Sequence, residues 1–392
     1  MSMVRLAITT ALFASGASAA THDLSGGLDL TAAARVGVLY DDNALLGRRG
    51  QFLDAPGAPR GREDDVAAVQ AVELDLGRRL RRSSRVTLGS RFELAQLRQT
   101  DELAGYDVAT SLGLEQRFGP GVELAPVFGL LYHREEPQWS HRTLEPGLRA
   151  RYTFPSGLMA ELRYRFTRQD FARAADGTAE PKNSYANVDF RGHRAEIDLR
   201  QWFLHWLRLN IASDFQAAEY AGNLNTNLAD YAGLDAGTER KDVGAGATGA
   251  VAIVPWAPLL FSVGSRYEVN RSNSDAFTFG AIHGLASALW TLHRGHALYA
   301  DLDYGRYAFP DEQFDRRFTN TRLDWRRDVS AVYRFEPIEP LRAEVAIRRI
   351  DSVSNDCAAF DPRRDAFGLP VYSRSYSCYG RTRVEASVRW EF

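Results

Sequence analysis

From Gly26 to Phe392 the chain repeats one pattern, in which segments of ten or more residues alternate polar and apolar side chains. The last segment is the clearest. Gly380, Thr382, Val384, Ala386, Val388, Trp390 and Phe392 fall on one parity, and Arg381, Arg383, Glu385, Ser387, Arg389 and Glu391 on the other. A period of two places these sets on opposite faces of a β-strand, whereas a helix would mix them around its circumference. The same alternation sets Leu158, Ala160, Leu162, Tyr164 and Phe166 against Glu161, Arg163, Arg165 and Thr167. Val86, Leu88, Phe92 and Leu94 likewise oppose Arg85, Thr87, Arg91 and Glu93. In 322–335 an apolar stripe from Leu323 to Phe335 is interrupted by Arg327, which is expected to snorkel at a membrane interface.

Short connections rich in Pro and Gly punctuate these segments at 81–84, 120–121, 155–157, 204–206, 255–258, 294–296 and 336–340. Between them fall longer polar connections centred near 44–64, 99–104, 137–141, 170–184, 221–238, 271–274, 310–320 and 355–375. Seven short and eight long connections join sixteen strands, so the expected fold is all-β: a transmembrane, antiparallel, up-and-down β-barrel of about sixteen strands. An even count puts both chain ends on the side of the short turns. Trp202, Phe203, Trp206, Trp256, Trp290, Tyr333, Phe335, Trp390 and Phe392 cluster beside those turns, as an aromatic girdle at headgroup depth requires.

Mean hydropathy is −0.33, which in a barrel reflects the averaging of lipid-facing and lumen-facing positions. The first twenty residues differ from the rest. Arg5, the apolar run Leu6 to Ala14 and the small residues Ala17-Ser18-Ala19 read as a signal peptide over 1–20, which leaves 21–392 as a single barrel domain. With 48 basic and 50 acidic residues the chain lacks the basic excess of a nucleic-acid binder. Only Lys182 and Lys241 are lysines, an arginine preference that coding bias explains as readily as function. Cys357 and Cys378 share the last long connection, and export to an oxidising compartment favours a disulfide between them.

The terminal pattern Val384-x-Ala386-x-Val388-x-Trp390-x-Phe392 resembles the C-terminal signal of outer-membrane proteins assembled by the Bam machinery. That resemblance marks Trp390 and Phe392 as the assembly signal and implies the barrel-assembly machinery and outer-membrane lipid as partners. The run Val36-Gly37-Val38-Leu39-Tyr40-Asp41-Asp42-Asn43 is similar to the first strand of the beta-barrel porin 2 group, which often accompanies exopolysaccharide export. It implies a polysaccharide, or a periplasmic export partner, as the molecule served.

Parity places Glu73, Asp75, Arg91, Arg149, Arg151, Arg163, Arg165, Arg200, Arg208, Asp301, Asp303, Arg322, Arg326, Arg342, Arg381, Arg383, Glu385 and Arg389 on the lumen wall. Two readings of this set stay open. Fixed charges of both signs could select polar solutes in a water-filled conduit, or could pair and fill a plugged scaffold that works with a periplasmic partner. A lipid-modifying enzyme is the weaker alternative, because none of the eight histidines sits in a recognisable nucleophile–base arrangement. Ser140-His141 is merely an adjacent pair assigned to a loop. No CxxCH haem site is present, and Asp356, Asp361 and Asp365 do not match a calcium loop, so neither cofactor nor metal is expected. The expected function is passage of polar solute, with export of a surface polysaccharide as the specific form.

Overall fold

The computed structural model describes residues 22–24, 28–42, 65–97, 105–134, 141–171, 189–221, 240–273, 277–292, 295–309, 322–354 and 379–392. The expected signal peptide, Cys357 and Cys378 lie outside the described residues.

A three-residue strand β1 (His22–Leu24) precedes sixteen long ones: β2 (Leu28–Asp41), β3 (Asp65–Arg81), β4 (Ser84–Leu97), β5 (Gly105–Phe118), β6 (Val122–Arg134), β7 (His141–Thr153), β8 (Met159–Phe171) and β9 (Asp189–Leu204). The second half comprises β10 (Leu207–Ala221), β11 (Arg240–Trp256), β12 (Leu259–Ser272), β13 (Phe279–Thr291), β14 (His296–Phe309), β15 (Arg322–Ile338), β16 (Leu341–Ser354) and β17 (Tyr379–Glu391). Each strand from β2 onward pairs antiparallel with the next, and β17 closes on β2 from Arg383↔Asp41 to Glu391↔Ala33. The result is a closed sixteen-strand antiparallel barrel. The seven short turns and eight longer connections fall where the alternation pattern stops.

Closure is staggered. β17 runs out opposite Ala33, which would leave the start of β2 as a bare edge. β1 folds back along that stretch, pairing His22↔Leu30 and Leu24↔Leu28. An unpaired edge inside a bilayer has no water to satisfy its N–H and C=O groups, so this small strand completes the seam. The last backbone bond of the seam runs from Phe392 N–H to Ala32 O at 2.8 Å.

The outer wall is apolar and the inner wall polar. Val36, Val38, Phe92, Leu112, Leu162, Ile197, Ile211, Phe215, Val263 and Val388 are large hydrophobics left exposed, as a surface facing lipid tails should be. Register shifts occur at Arg79/Arg81, Leu207/Arg208, Ile253/Trp256 and Phe335/Ile338, all beside short turns. Bulges confined to the turns leave the parity of each strand body intact. The short turns themselves use glycines in the left-handed region, Gly119, Gly157 and Gly295 at φ 65°, 81° and 80°.

Candidate functional site: a paired charge lattice on the lumen wall

Several strand bodies read Arg-x-Glu or Arg-x-Asp, in either order, on their inward parity, and the strand register decides which of these charges touch. From β5 to β14 the contacts form one chain. Arg117 reaches Glu115 (3.1 Å) and Glu123 (3.6 Å). Glu123 also holds Arg149 at 2.9 Å. Glu161, only 1% exposed, joins Arg151 (2.7 Å) to Arg163, which continues to Glu196 at 3.6 Å. Arg194 bridges Glu196 (2.7 Å) and Asp214 (3.6 Å). Arg266 links Asp214 (2.6 Å) to Glu268 (3.1 Å). His283 then lies between Glu268 (3.4 Å) and Asp303 (2.9 Å).

A second network spans the barrel seam. Arg35 on β2 reaches Glu385 on β17 (2.8 Å) and Glu93 on β4 (2.9 Å), and Arg91 also holds Glu93. Arg389 contacts Glu73 (2.6 Å) and Glu391 (3.1 Å), and Arg342 contacts Glu336 (2.8 Å) and Glu391 (3.6 Å). Arg381 Nε donates to Asp41 Oδ1 at 2.9 Å, and Arg383 lies 3.5 Å from the same carboxylate.

Three of the long reaches depend on glycine. Arg266 on β12 passes over β11 to Asp214 on β10. It can do so because Gly246, directly opposite both Asp214 and Glu268, has no side chain. A Cβ there would lie 2.3 Å from Arg266 Nη2. Arg85 on β4 crosses β3 over Gly77 to Asp29 on β2, 3.2 Å away, and an added Cβ would meet its guanidinium at 2.6 Å. On the outer face Arg349 crosses β17 beside Gly380 to reach Asp42 at 3.5 Å. Each glycine is a lane through which a guanidinium skips one strand.

The remaining residues that parity assigned inward are placed as follows. Asp75 faces the lumen beside Gly89, and Arg165 lies 3.7 Å from Glu145. Arg200 bonds Asp198, and Arg208 stacks on Trp202 with its guanidinium carbon 5.2 Å from the ring centre. Asp301 receives the Tyr299 hydroxyl at 3.3 Å. Arg326 sits 4.3 Å over Tyr307 and 3.6 Å from Asp324. The Arg322 side chain lies outside the described residues. Parity missed Arg35, Glu161, Arg194, Asp214, Arg266 and Glu268 as site residues, although each belongs to an alternating run that could have shown it. His283 carried no such signal, since β13 is made mostly of small residues. Two other expectations change. His141 begins β7 instead of lying in a loop, and its ring packs 4.8 Å from that of His133. Arg327 does not merely snorkel: it is bound to Asp351 at 2.6 Å on the outer wall.

The lattice leaves open space. One chamber of about 640 Å3 is lined from β3 to β11 by residues that include Glu73, Arg91, Thr110, Glu145, Arg165 and Gln216. A second, of about 270 Å3, lies against β9 to β14 between Arg208, Asp214, His283 and Asp301. Among the described residues no cluster of His, Cys, Asp and Glu is arranged to hold a metal ion. What the wall offers is a dense, fixed set of hydrogen-bond donors and acceptors in which opposite charges neutralise each other locally.

No protein-family model matches the sequence, and comparison with curated proteins gives no match. Among solved structures the fold is similar to Acinetobacter baumannii OccAB3, at TM-score 0.49 and 8% identity over 93% of this chain and 99% of that one. It is similar to Pseudomonas aeruginosa OccK1 (OpdK), at TM-score 0.48 and 10% identity over 93% and 98%. It is also similar to a bacterial polysaccharide outer membrane secretin, at TM-score 0.43 and 13% identity over 94% and 100%. These are likenesses of architecture and carry no statement about substrate.

Proposed function

We propose that this barrel is an aqueous conduit for polar solutes across an outer membrane, acting by passage without a chemical step. The observation that carries the reading is the combination of closure and lining. A sixteen-strand ring encloses an interior too wide for side chains alone to fill. Here a chamber of about 640 Å3 borders residues of nine successive strands. The inward arginines and carboxylates are largely paired, so the wall presents hydrogen bonds in place of a solute's hydration shell without a strong net field. Weak ion selectivity follows.

The finer reading is outward passage of a surface polysaccharide. It is supported by the likeness of Val36–Asn43 to the first strand of the beta-barrel porin 2 group, and by a wall that suits hydroxyl-rich chains.

Single-channel recording of the refolded mature protein in a planar bilayer tests the conduit. Steady steps on the order of a nanosiemens are expected for a water-filled barrel of this size. Block by neutral or anionic glycans would favour the polysaccharide form. Silence from protein shown to be folded would overturn the conduit in favour of a plugged scaffold that needs a periplasmic partner.

A further inference from the structure

The outer wall is not apolar throughout. At the end carrying the long connections, basic side chains stand on lipid-facing parity in three contiguous patches. On β6 to β8, Arg142 and Arg168 share Asp170 (3.2 and 3.0 Å), and Arg134 lies 6.0 Å over Tyr106. On β9 to β12, Arg191 and Lys241 share Glu219 (2.6 and 3.4 Å), with Arg271 one strand further on. On β14 to β16, Arg327 and Arg349 share Asp351 (both 2.6 Å), and Arg306 stands beside them on β14. Among the described residues Arg134, Arg271 and Arg306 have no carboxylate within ion-pair distance.

The opposite end of the wall is built differently. Its outward positions are Leu30, Leu80, Phe118, Phe203, Trp290, Phe335, Trp390 and similar residues, with charge among the described strand positions there confined to Arg78 and to Arg81, which the bulge at the end of β3 pairs with Ser84. The two rims therefore face different headgroup chemistries. Arg134, Arg168, Arg271 and Arg306 lie one or two pleat periods beyond the outward tyrosines of their own strands, Tyr132, Tyr164, Tyr267 and Tyr304. Arg142 and Arg327 stand register-opposite Tyr132 and Tyr304, which places this rim at the edge of the apolar band, near headgroup depth.

We propose that this basic rim binds the phosphate groups of anionic lipid in the leaflet on the long-connection side. Guanidinium forks match phosphate oxygens and hold them bidentately. A cation near the lipid–water boundary costs little by itself, and an anionic lipid surface attracts each basic side chain there. In each of the three patches one carboxylate, Asp170, Glu219 or Asp351, is shared by two cations. Even with Asp42 3.5 Å from Arg349, the basic side chains outnumber these carboxylates, which leaves positive charge to be met from outside. Lipid fits better than a protein partner because the patches are spread over β6 to β16, most of the circumference. A lipid annulus can cover them together, while a single docked protein cannot.

The inference rests on the barrel spanning a membrane but not on its being an open conduit. Protein refolded in phosphatidylcholine vesicles containing bisphosphorylated lipid A would be exchanged into detergent, and the lipid phosphate retained per barrel measured. The wild-type chain is compared with an Lys241→Gln/Arg271→Gln/Arg306→Gln variant and with vesicles of monophosphorylated lipid A. Each charge removed is expected to weaken retention roughly fivefold, the equivalent of about 1 kcal/mol for a basic side chain at an anionic surface. The doubly phosphorylated lipid should be held more tightly than the singly phosphorylated one. Equal retention by variant and wild type would overturn the proposal, as would equal retention of the two lipids. So would displacement of the lipid by inorganic phosphate at matched concentration, which would make these simple anion sites. So would a copy-to-copy crosslink through the rim in vesicles. Single-channel conductance of the variant should be unchanged, which separates a failure here from a failure of the conduit.

Discussion

Replacing Gly246 by valine puts two physical arguments in direct opposition. Valine is among the best strand residues and glycine among the poorest, so in an ordinary strand position the change gains up to about 1 kcal/mol. At Gly246 the new Cβ would sit 2.3 Å from Arg266 Nη2 and 2.8 Å from Asp214 Oδ1, in the lane the ion pair uses. Arg266 would keep Glu268 at 3.1 Å, and Asp214 would keep Arg194 at 3.6 Å, so neither charge is left bare. The loss is then the crossing contact itself, 2.6 Å long between side chains only 14% and 10% exposed. A hydrogen bond between charged groups contributes about 1.5–3 kcal/mol. The net expectation is a destabilisation of about 1–2 kcal/mol. Gly249 supplies the control: it lies on the outward parity of the same strand, with nothing within 4 Å of an added Cβ, so Gly249→Val should be neutral or stabilising. Urea unfolding of the refolded barrel in phospholipid vesicles, followed by tryptophan fluorescence, reads both. If Gly246→Val stabilises the barrel as much as Gly249→Val does, the glycine lanes are incidental and the reasoning fails.

Other consequences follow from the same wall. Glu161→Gln leaves Arg151 and Arg163 with only Glu123 at 4.0 Å and Glu196 at 3.6 Å, and should cost about 3 kcal/mol, the lower end of the range for breaking a buried pair. Adding Arg151→Gln should recover part of that loss in the same urea assay, and a double variant that is worse than the single would contradict a shared charge balance. Ile197→Arg, at the middle of β9 and 49% exposed, should cost about 2–4 kcal/mol in vesicles because it places a cation at bilayer mid-depth. A cost below half a kilocalorie or so would mean that this face does not meet lipid. Deleting Phe392 removes an exposed outward ring and the seam bond to Ala32. It should sharply reduce folded barrel in cells while leaving urea-diluted refolding into vesicles nearly intact, and equal losses in both would assign Phe392 a purely structural part.

Alternation alone was enough to place the sixteen long strands, their short turns and the parity of the strand bodies that alternate clearly, though not of β13, which is made mostly of small residues. The inward and outward sets of β17, β8 and β4 could be written out from the sequence. Bulges did not spoil this because they fall beside the turns. β1 escaped notice because three residues are too few to display a period. Arg349 and Asp351 were overlooked on the lipid-facing side because Arg348-Arg349-Ile350-Asp351 puts charges on both parities of β16, so the polar–apolar alternation stops short of its end.

A period of two tells each residue which face it occupies, since that follows from the pleat of its own strand. It cannot tell the residue which side chain stands opposite, since that depends on the relative slide of two strands and on closure of the ring. Thus Arg35 and Glu385, 350 positions apart, and Arg266 and Asp214, 52 apart, are simply charged inward residues in the sequence. Register brings them within hydrogen-bonding reach, and Gly246 gives a meaning to its missing side chain only once β10, β11 and β12 lie side by side. The sequence by itself determined a barrel with a charged interior and an apolar exterior. Only the closed structure decided that those charges are bound to one another, because partnership between strands is a property of the sheet.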